Sequence, residues 1–304
     1  MISGTQQAAL AGLLTSLSMF AGAGTPQAET TPHLAALLPA DWELRESHSD
    51  EFDDSGLDLR KWETDLPDWG SWSWRNDHVR VADGVLRIWM AFDPHDRQGR
   101  QLSYTAGIVR SREAPLRYGY FEARIRAAAR WPGLASAFWL FRNRPEYWTE
   151  IDIVELMQRR NSRNIVDFSL YVLRDPRLAE LPVRRKEHVS VSWDPSQDFH
   201  VYGCMWEPHR IRHFVDGRLV GEIANDHWDR PMDVVLSLGL REPLVTSPER
   251  GGFPSAMEVD YIRVWGPADQ QLAAANVRGV SSAAVHGPAA TVHGEPRSLR
   301  RGAR

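Results

Sequence analysis

The sequence contains few lysines, one cysteine and no long apolar run, and each of these shortages excludes a class of structure or partner. Only two of its 36 basic residues are lysines, Lys61 and Lys186, and acidic residues number 40. The net charge of −4 argues against nucleic acid as a partner, because polyanion binders usually carry a strongly basic face. A single cysteine, Cys204, excludes an intramolecular disulfide framework and a CxxC metal site. No apolar run reaches the ~18 residues that a membrane-spanning helix needs, so we expect no membrane partner.

Both ends differ in composition from the middle of the chain. Residues 8–23 are apolar and rich in alanine, like the core of a signal peptide, and small residues at Ala23 and Ala28 offer cleavage points. Basic residues do not precede this core, which leaves a disordered alanine-rich extension as the alternative. The last segment has no apolar periodicity and cannot offset the entropy of ordering. We expect a secreted or periplasmic protein with a signal peptide over 1–28, a linker over 29–40, one folded domain over 41–266 and a disordered tail over 267–304.

Within the folded domain, short segments of alternating apolar and polar residues are separated by turn residues. Two of these segments contain Asp-Gly between apolar flanks, at residues 83–84 and 216–217, which is the strongest local signal for a β-hairpin. No long segment shows the 3.6-residue period of an amphipathic helix. The pattern predicts an all-β domain, a two-sheet β-sandwich of the jelly-roll type.

One predicted strand contains three acids in the sequence EIDIVE, residues 150–155. Side chains alternate between the faces of a strand, so Glu150 and Asp152 point together while Ile151 and Ile153 enter the core. Glu155 is out of phase, and a β-bulge at residues 153–154 would return it to the face of the other two acids. Gathering like charges is unfavourable, because each carboxylate raises the pKa of its neighbours.

Two interpretations of these acids are open. A solvated polar face explains most charged runs, but here no basic residue alternates with the acids, and Trp139, Tyr147 and Trp148 flank the segment. Retaining glycoside hydrolysis supplies the other interpretation, because it uses two carboxyls ~5–5.5 Å apart as nucleophile and as acid/base. A third acid between them can share a proton with the nucleophile.

Motifs along the whole domain resemble those of glycoside hydrolase family 16, in the branch with the bulged ExDxxE strand. They are SDEFD, TAGIVRSR, YGYFEARIR, AFWLF, TEIDIVE, FHVYGCMWEP, FVDG and MEVDYIRVW. The resemblance implies a concanavalin A-like jelly roll with a concave substrate cleft, and endo-acting hydrolysis with retention of configuration. It assigns Glu150 as nucleophile, Asp152 as assisting acid and Glu155 as general acid/base. It implies no cofactor for catalysis, but a structural calcium ion for which Asp260 is a candidate ligand.

Within the family, the chain is most similar to the κ-carrageenases. The shared segments are GSWSWRND, YWTEIDIVELMQ, DPSQDFHVYG and LSLGLREP. The resemblance implies that Arg241, in the GLR element, binds a galactose sulfate and that Trp139 forms part of the cleft floor. Carrageenases carry a sugar-binding Trp-x-Arg pair where this chain has LYVLRDPRL, so Tyr171 and Arg174 (or Arg177) are approximate counterparts. The loop before Tyr104 is shorter than in carrageenases.

Tryptophan and arginine supply the expected substrate contacts. Sugar rings stack on aromatic planes, and the candidate platforms are Trp69, Trp72, Trp74 and Trp139. The planar fork of arginine binds oxyanions in bidentate fashion. Arginines cluster around the predicted cleft at positions 142, 144, 159, 160, 163, 174 and 241. A genome-wide preference for arginine accounts for most of the excess of arginine over lysine. The local cluster around the predicted cleft favours an anionic polysaccharide as substrate.

Three hypotheses remain. The first is a monomeric, retaining endo-hydrolase of a sulfated β-1,4-linked red-algal galactan such as κ-carrageenan or furcellaran. The second is an agarase, a porphyranase or a β-1,3-glucanase (laminarinase), since the same three acids serve all of these reactions. The third is a non-catalytic carbohydrate-binding jelly roll, which loss of one carboxylate would favour, yet all three are present.

Overall fold

Strands make up most of the structure, a computed structural model that describes residues 38–157 and 159–268. The expected signal peptide, residues 29–37 of the expected linker and residues 269–304 of the expected tail lie outside these ranges. The described residues form the strands β1 Trp42–Leu44, β2 Trp62–Glu63, β3 Ser73–Trp74, β4 Val79–Ala82, β5 Val85–Arg97, β6 Arg100–Ala106, β7 Ile108–Ser111, β8 Gly119–Arg126, β9 Leu134–Asn143, β10 Trp148–Leu156, β11 Ile165–Arg174, β12 Val183–Ser190, β13 His200–Trp206, β14 Arg210–Val215, β15 Arg218–Ala224, β16 Asp233–Leu240 and β17 Ser255–Pro267. Two 3₁₀ turns, Glu46–His48 and Asn76–His78, join them.

These strands form two sheets, which confirms the predicted all-β sandwich. The larger sheet has ten strands in the order β15-β14-β13-β8-β17-β5-β6-β3, with β1 added to β17 and β4 to β5. The smaller sheet has seven strands in the order β12-β11-β10-β9-β16-β7-β2. Neighbouring strands are antiparallel except for β3 and β6. No helix in the described ranges is long and apolar enough to cross a membrane.

Both predicted Asp-Gly hairpins are present. Ala82 pairs with Val85 across Asp83-Gly84, and Val215 pairs with Arg218 across Asp216-Gly217. The two central residues have positive φ in each turn, 56° and 71° in the first and 47° and 73° in the second. This left-handed geometry matches the twist of the flanking strands, and it requires residues such as aspartate and glycine that tolerate positive φ.

The core lies between the inner faces of the two sheets, where alternate residues of each strand are apolar. Leu86, Ile88 and Phe121 of the larger sheet are fully buried there, as are Ile151 and Leu170 of the smaller sheet. Because side chains alternate, the intervening residues of β9, β10 and β11 occupy the outer face of the smaller sheet. We call this outer face the site face, because the three acids lie on it.

Candidate active site

The acidic strand is bulged where the sequence predicts it. Asp152 pairs with Trp139 and Val154 with Phe138 on β9, so Ile153 is the inserted residue. On the other side, Asp152 pairs with Ser169 and Glu155 with Asp167. Residues 151, 153 and 154 are 0% exposed in the core, which leaves all three acids on the site face. The inserted residue therefore returns Glu155 to the same face of the strand as Glu150 and Asp152.

Glu150 and Asp152 act as one electrostatic unit. Their side chains are linked by a hydrogen bond. Burial, followed by the charges of Glu150 and Glu155, raises the pKa of Asp152 well above its usual range. Burial, followed by the charge of Glu155, raises the pKa of Glu150 as well. Like charges this close cannot both ionise easily, so the pair holds a shared proton at neutral pH.

Glu155 is bonded to a cation. Nη2 of Arg241, one residue beyond the end of β16, donates to Oε1 of Glu155. The Ser169 hydroxyl donates to Oε2 at 3.4 Å. The Arg241 side chain remains 39% exposed, whereas that of Glu155 is 6% exposed. A ligand on the site face can therefore reach the Arg241 guanidinium while the guanidinium still contacts the Glu155 carboxylate.

The position of Arg241 depends on an adjacent glycine. The amide of Arg241 donates to the carbonyl of Gly133 at 2.8 Å, which fixes its backbone. A Cβ built on Gly239 would lie 3.1 Å from Nη1 of Arg241 and 3.7 Å from the Trp72 ring. Glycine at position 239 thus leaves the space in which the guanidinium lies.

Strand β11 supplies polar residues that the sequence analysis did not identify. Asp167 and Ser169 lie opposite Glu155 and Asp152 on the site face, and both are buried. Nε of Arg159 donates to Oδ1 of Asp167 at 2.9 Å. The alternation in IVDFSLYV, with polar side chains at every second position, is the signal that could have found them.

A buried tryptophan holds the strand that carries the acids. Nε1 of Trp228 lies 3.1 Å from the carbonyl oxygen of Glu150 and 3.2 Å from that of Tyr171. Trp228 is 1% exposed, and its own carbonyl accepts a hydrogen bond from the Trp206 indole. It thereby ties β10 to β11 beside Glu150, a long-range contact without a local sequence signal.

The predicted tryptophan platforms divide into two kinds. Trp139 lies opposite Asp152 on the site face, and its Nε1 donates to Ser237 Oγ at 3.1 Å. Trp69 is half-buried, and its ring lies 4.9 Å from that of Trp74. Trp74, however, is only 7% exposed and belongs to the core, and Trp72 is likewise buried. The prediction that Trp74 is a stacking platform is wrong, because its ring packs against Trp69 and Trp72.

Most of the arginines expected around the cleft are held by other protein groups. Nη2 of Arg174 donates to the carbonyl oxygen of Arg144 at 2.7 Å and thereby holds the β9–β10 turn. Arg142 pairs with Asp233. Arg163 pairs with Asp194 at 3.3 Å. The candidate sugar contact at Arg174 therefore stays a prediction, whereas Arg241 directly contacts an acid of the trio.

The candidate calcium ligand is bonded to an arginine. Asp260 Oδ2 accepts from Nη1 of Arg124 at 2.8 Å. Within the described ranges, His, Cys, Asp and Glu side chains form no group of three or more suited to a metal ion. The calcium at Asp260 therefore stays a prediction that gains no second ligand from this geometry.

Comparisons with known proteins agree with this arrangement. The sequence profile "Beta-porphyranase A-D, GH16 domain" matches residues 42–267. The chain is 33% identical over 260 residues to a κ-carrageenase of Pseudoalteromonas carrageenovora, covering 74% of this chain and 64% of that protein's length. It is 29% identical over 278 residues to a β-glucanase of Rhodothermus marinus, covering 80% of this chain and 88% of that protein.

Solved structures show the same similarity. The κ-carrageenase of P. carrageenovora, in complex with an oligotetrasaccharide of κ-carrageenan, superposes with a TM-score of 0.66 at 32% identity. The superposition covers 74% of this chain and 94% of that one. The similarity therefore extends over both sheets of the sandwich.

Proposed function

The chain belongs to glycoside hydrolase family 16, and we propose that it is a retaining endo-hydrolase that cleaves β-1,4 linkages of a sulfated galactan, κ-carrageenan or furcellaran. The observation that carries the proposal is the Arg241 guanidinium, which lies on the site face in contact with Glu155 and is open to a ligand. A guanidinium beside the acids is suited to a sulfate ester on the sugar next to the cleaved bond. Similarity to two κ-carrageenase structures supports the same substrate class. Enzymes of this family need no cofactor for catalysis.

The three acids divide the chemistry between them. The Glu150 carboxylate attacks the anomeric carbon, and Glu155 gives its proton to the departing glycosidic oxygen. Asp152 keeps the shared proton and donates it as a hydrogen bond to Glu150, which holds that carboxylate ionised and oriented. In the second step Glu155 takes a proton from water, and the resulting hydroxide displaces Glu150 from the sugar. Two inversions give net retention.

Arg241 links substrate binding to the position of Glu155. Its guanidinium contacts the Glu155 carboxylate and is partly exposed on the site face. A sulfate ester competes for the same guanidinium, because its oxygens accept the same forked donors. Binding of the sulfated sugar then draws Arg241 from Glu155 towards the substrate, beside the glycosidic oxygen that Glu155 must reach.

Reducing-sugar release from κ-carrageenan, furcellaran, porphyran, agarose and laminarin tests this proposal. We expect the highest kcat/KM on κ-carrageenan or furcellaran. A Glu155→Gln variant, prepared in parallel, controls for a contaminating hydrolase. Hydrolysis of laminarin alone would contradict the sulfated-galactan proposal while leaving the glycoside hydrolase in place.

Porphyran is the second candidate substrate, because the matching family profile is that of β-porphyranases. Porphyran is also a sulfated galactan, so Arg241 would serve it as well. The panel separates the two candidates, since κ-carrageenan and porphyran differ in the position of the sulfate. We further propose that the enzyme acts as a monomer and, because its substrate is a large polymer, outside the cytoplasm. Gel filtration and cell fractionation test these two points.

A further inference from the structure

The edge strand of the site face, β12, carries a row of basic residues. Its sequence is VRRKEHVS, and residues 184–188 are all exposed. It contains Lys186, one of only two lysines in the chain. Strand β12 pairs with β11, which pairs with β10, so it lies two strand spacings, ~10 Å, from the three acids.

Strand register decides which of these residues share the site face. Residues directly opposite one another in an antiparallel pair point to the same face. Arg184 lies opposite Tyr171, Lys186 opposite Ser169 and His188 opposite Asp167. Val183 and Val189, on the other face, pack against the core. We call Arg184, Lys186 and His188 the β12 column.

One contact places the β12 column beside the acids. Nζ of Lys186 lies 5.8 Å from the centre of the Tyr171 ring, and Tyr171 is the strand partner of Glu150. Burial, followed by the charge of Asp152, raises the pKa of the Tyr171 hydroxyl, which places that ring among the acids. Arg184 also lines a groove of about 500 Å³ bounded by residues 178–185 and His227. The column therefore flanks the acids and borders a space for part of a polymer chain.

We infer that the β12 column is an anion subsite of the same cleft and binds a second sulfate ester of the polysaccharide. This inference rests on the proposed function. A sulfated galactan repeats its sulfates along the chain, so a polymer with one sulfate at Arg241 presents another farther along the sheet. Arg184 and Lys186 supply two positive charges there, and the acids at the centre of the face repel a sulfate, which favours its binding at the edge of the sheet.

Edge protection is the competing role for these charges. Charged side chains on an edge strand prevent pairing with another chain, but this protection works with either sign of charge. Binding of sulfate requires positive charge. Lys186→Glu therefore separates the two roles, because it keeps the edge charged and reverses the sign.

The test compares KM and kcat on the sulfated polymer at low and at physiological salt. We expect Arg184→Gln/Lys186→Gln to raise KM about tenfold, with a larger rise for Lys186→Glu and smaller effects at higher salt. Arg218→Gln is the matched control. It removes an exposed charge from β15, an edge strand of the larger sheet, away from the site face. We expect its KM to remain within about twofold of wild type.

Three other results would contradict the anion subsite. An unchanged KM in Lys186→Glu, or an equal rise in Arg218→Gln, would contradict the anion subsite while the proposed function stands. Wild-type protein that hydrolyses only neutral polymers would overturn both the proposed function and the subsite. Because all substituted side chains are exposed, circular dichroism should show an unchanged fold.

Discussion

Arg241 donates from Nη2 to Oε1 of Glu155 across two strands of the smaller sheet, 86 residues apart in sequence. The contact joins the residue expected to bind sulfate to the residue expected to deliver the proton. Since the Arg241 side chain is 39% exposed, substrate can take part in this contact without first opening the fold. The arrangement brings the proposed sulfate-binding residue and the proposed proton donor into one contact.

Arg241→Gln tests the proposed role of this contact in binding sulfate. Loss of the guanidinium removes a charge-assisted contact to sulfate, so kcat/KM on κ-carrageenan should fall about 100-fold. Desulfated κ-carrageenan should show a smaller loss. Arg163→Gln is the control, because Arg163 is paired with Asp194 rather than with the acids. Equal losses on both polymers would mean that Arg241 acts only on Glu155.

Gly239→Ala tests the space left for Arg241. The new methyl would lie 3.1 Å from Nη1 and should displace the guanidinium, lowering kcat/KM on sulfated polymer about tenfold while unfolding free energy changes by under about 1 kcal/mol. Gly221→Ala is the control, since its Cβ would meet only the Cβ of His213 at 4.0 Å. Full activity in Gly239→Ala would show that the position of Arg241 is not critical.

Chemical rescue tests the roles of Glu150 and Glu155. Glu150→Ala should lower kcat about 10⁴-fold or more, because it removes the nucleophile. With azide and an aryl oligosaccharide substrate, Glu150→Ala should yield the α-glycosyl azide and Glu155→Ala the β-glycosyl azide. Nuclear magnetic resonance of the products distinguishes them. The opposite pattern would exchange the two assignments.

A buried histidine behind the acidic strand makes the fold sensitive to acid. His213 is 0% exposed, its ring lies 4.7 Å from that of Phe168, and burial lowers its pKa from 6.5 to about 4. A lowered pKa means that the unfolded chain binds the proton first, so stability falls as pH drops from about 6.5 towards 4. The loss is on the order of 3 kcal/mol below both pKa values.

His213→Phe should therefore flatten the acid side of the stability profile, measured by denaturant unfolding between neutral pH and about pH 4. His209→Phe is the control, because His209 is exposed. An identical pH dependence in wild type and His213→Phe would assign the acid sensitivity to other groups, among them the buried His48.

Local sequence predicts the features of this molecule that local geometry determines. The two Asp-Gly turns follow from the φ preferences of those residues, and the bulge follows from the phase of Glu155 against a two-residue period. Contacts that depend on the order of strands in a sheet cannot be predicted from local sequence. The β12 column, and the Trp228 contact with the Glu150 carbonyl, require knowledge of which strands are neighbours.

Trp74 shows the same limit for single residues. A tryptophan near a predicted cleft has the chemistry of a sugar platform whether it points outward or inward. The face that it presents is set by β3, a two-residue strand whose pairing with β6 is parallel. Such a short strand offers no alternation from which the direction of its side chains can be deduced.

The stereochemical course of the reaction tests the central proposal most directly. Proton nuclear magnetic resonance can follow the anomeric signals of the new reducing ends during hydrolysis of a κ-carrageenan oligosaccharide. A retaining mechanism predicts that the β-anomer forms first and that the α-anomer follows by mutarotation. First appearance of the α-anomer, or no cleavage under conditions in which laminarin is cleaved, would contradict it.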